Sequence, residues 1–248
     1  MVAMGYPSDK IRAVIKNVAP ESLGGEAASP AIHASTHPQH GGIRIVLSRT
    51  HIAGTSMLWI AFFMGLLIIY GVVNWMPVLL RSAGLDPAQA TLISTLFPLG
   101  GFGAIVSGVL MDRFNATRVI AIGYALTAVC IYLIGQAIGN VGLLVVTVFT
   151  AGILMNTTQA SMPTLAAGYY PTAGRSTGVA WMLGIGRFGG IAGSFLIAEL
   201  TSLNLSFATI FSLLAIAGAI SCAALLVMQS LRPTPVLIDV GPNKSLAH

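Results

Sequence analysis

Six apolar runs, each long enough to cross a bilayer as a helix, dominate this 248-residue sequence and leave it few ways to fold. They are Gly54–Val78, Ala88–Met111, Arg118–Ile138, Val141–Met162, Ser176–Leu200 and Ser206–Met228. A hydrocarbon core of about 30 Å takes about 20 residues of α-helix. Backbone amides in lipid must find partners within their own segment, so unbroken runs of this kind are helices and not strands. Only 8% of the residues are charged, against roughly 25% in soluble domains. The expectation is an all-α, multi-pass membrane protein with six transmembrane helices in one bundle.

Polar punctuation divides the runs: "RSAGLDPAQ", "DRFNAT", "GN", "GYYPTAGR" and "TSLNL". Three regions follow. Residues 1–53 form a linker with a short amphipathic piece at Ser8–Val18, residues 54–230 form the bundle, and residues 231–248 form a polar tail. Numbering the intervening segments alternately puts Lys10, Arg12, Lys16, Arg44, Arg49, Arg113, Arg118, Arg175, Arg232 and Lys244 on one side and Arg81 alone on the other. Cytoplasmic loops carry the excess of Lys and Arg, so both termini are expected in the cytoplasm, with the bundle in the plasma (inner) membrane.

Several function classes drop out. The net charge of +5 comes from scattered cations, without the dense basic stripe of a nucleic-acid partner. Cys130 and Cys222 sit alone inside apolar runs, so neither disulfide nor zinc is expected. His33, His37 and His40 have helical spacing, but Pro30, Pro38, Gly41 and Gly42 break the helix that a metal face would need. No span pairs a nucleophile with a base. We expect no enzyme, cofactor or metal.

The twelfth cation, Arg187, belongs to neither loop set and lies near the middle of the fifth run. A charge at that depth costs roughly 3 kcal/mol on insertion scales and normally marks function. It stands inside "WMLGIGRFGGIAGSFL", where Gly184, Gly186 and Gly189 spell G-x-G-x-x-G. A dinucleotide loop needs a preceding strand and an acid about 20 residues on; here an apolar helix surrounds the motif. Gly186 with Gly190, and Gly189 with Gly193, are small-xxx-small pairs that let membrane helices approach closely. Gly184, Gly190 and Ser194 flank Arg187 at helical spacing and leave room beside a guanidinium suited to bidentate carboxylate binding.

Weaker polar signals lie elsewhere in the spans. Tyr70 and Asn74 share a face at i, i+4, and Asn156 and Gln159 share one at i, i+3. Substrate contact and interhelical hydrogen bonding both account for them. Trp59 and Trp75 fit an interfacial aromatic belt. Asp112, Arg113 and Arg175 sit at the inner ends of helices, where an acid and an arginine can form a latch in one conformation and release it in another.

"GVLMDRFNATR" resembles the cytoplasmic loop motif of the major facilitator superfamily, G-x-x-x-D-R-x-G-R-R, as it stands between helices 8 and 9. Gly108, Asp112 and Arg113 match; "NAT" departs from the usual Gly-Arg. "YYPTAGRSTGVAWMLGIGRFGGIAGSFL" is similar to the loop and helix 11 of the aromatic acid:proton symporters in that superfamily, and "LWIAFFMGLLIIYGVVNWMPVLLRSAG" is similar to their helix 7. The resemblance implies that Arg187 contacts a substrate carboxylate and that Asp112 and Arg113 take part in switching. It also implies twelve spans in two halves with the site between them. Against that pattern the chain looks like a C-terminal half, without the first-helix acids that the family uses in proton coupling. The expectation is half of a proton-coupled carrier of aromatic carboxylates, inactive until it meets an N-terminal half. The alternative is a self-contained six-helix protein, acting as a homodimeric permease or a non-transporting subunit.

Overall fold

The computed structural model describes residues 41–103, 111 and 113–231. Every regular element among them is helical. A short α1, Gly41–Val46, precedes α2 (Ile52–Ser82), α3 (Pro87–Leu99), a 3-10 turn at Gly100–Gly103, α4 (Ala116–Gln136), α5 (Val141–Tyr169), α6 (Arg175–Ser202) and α7 (Phe207–Ser230).

The polar punctuation supplies the helix ends. Asp86 opens α3 by accepting from the Ala88 and Gln89 amides at 3.0 and 3.4 Å, with Pro87 preset for the first turn. Asn115 accepts from Thr117 and Arg118 to open α4, Asn140 from Leu143 to open α5, and Ser206 from Thr209 to open α7. Gly84, at φ +96°, lets the Leu85 amide fold back onto the Leu80 carbonyl after α2. Asn204 takes the same left-handed role after α6, at φ 54°.

Five helices, α2 and α4 to α7, are long and apolar enough to cross a membrane. The run expected over Ala88–Met111 differs. Its α-helix ends at Leu99 and continues as a 3-10 turn to Gly103; residues 104–110 lie outside the described part. Six continuous spans are therefore not seen among the described residues. The break falls where α3 crosses α5 closely: a Cβ on Gly100 would run into the Gly152 backbone, and one on Gly152 into the backbone of Phe97. By contrast α5 runs through Pro163 to Tyr169, past the expected end at Met162. Neighbouring helices and side chains in a bundle satisfy the carbonyl that a proline leaves free.

The core lies between helix pairs. α2 packs against α6, α7, α3 and α5, and α4 packs against α7 and α5. Leu58, Ile68, Met76, Tyr124, Ile131 and Met155 are fully buried there. The regions assigned to 1–53 and 231–248 fall largely outside the described residues, as do His33, His37, His40 and the loop acid Asp112.

Candidate substrate groove

Glycines on α6 bring its backbone against α2. A Cβ on Gly189 would strike the Phe63 carbonyl, one on Gly193 the Leu67 carbonyl, and one on Gly186 the Phe62 ring. All three are buried. With the two backbones this close, side chains on the next strip of α6 share one opening with those of α2.

That opening is a groove of about 580 Å³ lined by Tyr70 from α2 and by Arg187, Gly190, Ile191, Ser194 and Phe195 from α6. The Tyr70 ring lies over Gly190, 2.6 Å from where a Cβ would stand. Asn74, one turn beyond Tyr70, donates from Nδ2 to the Ser194 hydroxyl at 2.9 Å, and Ser194 donates to the Gly190 carbonyl at 3.3 Å. Arg187 makes no hydrogen bond or ion pair among the described residues. The described acids are distant in sequence from it or at a helix end: Asp86 caps α3, and Glu199 lies exposed in the last turn of α6.

Of the expected substrate contacts, the structure brings Arg187 and Tyr70 into one groove, and Asn74 bonds Ser194 of the same lining. Asn156 and Gln159 lie elsewhere. Asn156 donates to the Phe97 carbonyl at 3.0 Å and to Gly152 at 2.8 Å, at the α3–α5 crossing. Gln159 is buried; it accepts from the Tyr124 hydroxyl at 2.7 Å and donates to the Phe62 carbonyl at 3.4 Å. Arg113 and Arg175 are exposed. Their expected latch partner, Asp112, is outside the described residues.

Three features escaped sequence reading. Ile191 and Phe195 wall the groove, and their i+4 and i+8 offsets from Arg187 were the available signal. Trp59 is not a lone belt residue, because it stacks on Trp181 with centroids 6.0 Å apart and planes at 22°. A polar cluster also ties α1 to the bundle: Tyr170 donates to Thr55, which donates to the Val46 carbonyl, while Tyr169 donates to the His51 carbonyl. Burial holds the Tyr170 phenol above its ordinary pKa.

Five lipid-length helices packed into one bundle, with an arginine in a groove between two of them, define an integral membrane protein. The model of the Major Facilitator Superfamily matches residues 58–245, and the chain belongs to that superfamily. It is 39% identical to the 4-hydroxybenzoate transporter PcaK of Pseudomonas aeruginosa, over 91% of this chain and 51% of the relative. It is 41% identical to the gallate transporter of Pseudomonas putida, over 96% of this chain and 53% of the relative. A benzoate transport protein of Acinetobacter baylyi is 28% identical, over 78% of this chain and 42% of its own length. The chain spans about half the length of the curated relatives it matches. These relatives are transporters, not enzymes.

Proposed function

We propose that this chain supplies the C-terminal, Arg187-bearing half of a proton-coupled carrier for an aromatic carboxylate. In this account it carries six spans with both termini in the cytoplasm, and Arg187 grips the carboxylate. The observation that carries the proposal is the guanidinium standing without a partner among the described residues, in a groove walled by Tyr70, Ile191 and Phe195. A cation needs an anion there, and the flat apolar walls suit an aromatic ring. The names of the relatives, which include 4-hydroxybenzoate, gallate and benzoate, support the same class of cargo.

A complementary half follows from the exposed face of α6. Phe188, Ile191 and Phe195 are uncovered around Arg187, with Phe195 73% exposed. Lipid would accept the three apolar side chains but not the guanidinium between them. A second bundle that covers this face and opens or closes over the groove meets both demands. Proton coupling would then fall to acids of that second bundle, with Arg113 and Arg175 acting at the inner helix ends.

The experiment is uptake of radiolabelled 4-hydroxybenzoate into proteoliposomes under an imposed pH gradient. The chain is tested alone and with the N-terminal half of the Pseudomonas aeruginosa relative. Uptake is expected only with both halves and only with the gradient. Full uptake by the chain alone would instead favour a homodimeric permease.

A further inference from the structure

The short helix α1 is held to one end of the bundle by its inner side. A Cβ on Gly42 would run into the Thr177 hydroxyl of α6, Ile45 lies against Gly174 ahead of α6, and the Val46 carbonyl accepts from the Thr55 hydroxyl of α2. Its outer side is uncovered: Ile43 and Leu47, one turn apart, are 53% and 50% exposed. Arg44 stands beside them and Arg49 follows before α2, both exposed and without a hydrogen bond or ion pair among the described residues. Arg175, also exposed, opens α6 next to Gly174 and adds to the same field. The described acids are at the far end, because Asp86 follows α2 and Glu199 lies in the last turn of α6.

Helix length sets the depth of α1. α2 has 31 residues, roughly 46 Å of helix, against about 30 Å of hydrocarbon. Its ends therefore stand among the lipid headgroups, and α1, bonded to its first turn through Thr55, stands at that level. Water leaves the two apolar side chains exposed, and hydrocarbon leaves the arginines uncompensated. The boundary between them satisfies both, with the apolar pair toward the acyl chains and the cations toward phosphates.

We propose that the outer face of α1 is a docking surface for anionic phospholipid: Arg44 and Arg49 hold headgroup phosphates while Ile43 and Leu47 rest on the acyl boundary. The lipid and the Tyr170–Thr55–Val46 bonds then hold α1 from opposite sides. Lipid charge thereby acts on the end of the bundle where α2, α5 and α6 meet.

The test is hydrogen–deuterium exchange over residues 41–47 of the full chain in nanodiscs of phosphatidylglycerol and of phosphatidylcholine, with α4 as the internal reference. Exchange is slower in phosphatidylglycerol by up to about thirtyfold, the effect of two arginines at an anionic surface. The difference shrinks at high salt, which screens exposed charges. Arg44→Gln with Arg49→Gln removes most of it, whereas Arg44→Lys with Arg49→Lys keeps it. Arg81→Gln, at the other end of α2, leaves it intact. Equal exchange of the wild-type chain in the two lipids overturns the proposal. So does a difference that survives the double glutamine variant whole, or one that Arg81→Gln removes as well. Protection that appears only when the N-terminal half of the Pseudomonas aeruginosa relative is added, in either lipid, gives this face to a protein and overturns it too.

Discussion

The Tyr124 hydroxyl on α4 donates to Gln159 Oε1 on α5 at 2.7 Å, and the amide of Gln159 reaches on to the Phe62 carbonyl of α2. Three helices meet in this relay, and Gly65 leaves the space for it, because a Cβ there would strike both side chains. The relay holds the α2 segment that lies against Gly186 and Gly189 of α6. Neither Tyr124 nor Gln159 lines the groove; the relay braces the α2–α6 contact beside it.

Tyr124→Phe and Gln159→Leu should each lower thermal stability in detergent, and the double variant should lose less than the sum. Interhelical hydrogen bonds in membranes couple by about 0.6 kcal/mol on average and about 1.7 at most. A double-mutant cycle on unfolding measures this. Strict additivity would show that the two side chains do not act together.

Alanine at Gly189 or Gly193 should be more damaging than its size implies, because the new methyl meets the backbone of α2 rather than a side chain that can turn away. Overpacking of this kind costs about 1–3 kcal/mol. Gly184→Ala is the matched control, with nothing within 4 Å of the added carbon. Melting temperatures that fall for the first two variants and hold for the third are expected; a uniform response would remove the close-packing account.

Thr55 sits between Tyr170 and the Val46 carbonyl, accepting from one and donating to the other. Thr55→Val loses both bonds and should free α1 from the bundle, whereas Tyr170→Phe loses one. Hydrogen–deuterium exchange over residues 41–46 should rise strongly in the first variant and modestly in the second. Unchanged exchange in Thr55→Val would mean that apolar packing alone holds α1.

Helix positions were legible in the sequence because lipid imposes a minimum apolar length and polar punctuation divides the runs; that Asp86, Asn115, Asn140 and Ser206 cap the helices came from the structure. Arg187 stood out for the cost of its depth, and Tyr70 and Asn74 for their shared face. The break after Leu99 was not legible, since it depends on Gly100 meeting Gly152 some fifty residues away. Nor was the division between Asn74, which bonds the groove residue Ser194, and Gln159, which bonds Tyr124 and Phe62. Spacing along one helix fixes the face a residue occupies but not which neighbour covers that face.

The most direct test of the central claim is uptake by Arg187→Ala, reconstituted with the complementary N-terminal half. Truncating one member of a hydrogen-bonded charge pair costs about 2–5 kcal/mol. Uptake of 4-hydroxybenzoate should therefore fall at least about thirtyfold while the variant inserts and folds as the wild type does, with Arg187→Lys recovering part of the loss because a point charge replaces a bidentate fork. Wild-type uptake by Arg187→Ala would contradict the account.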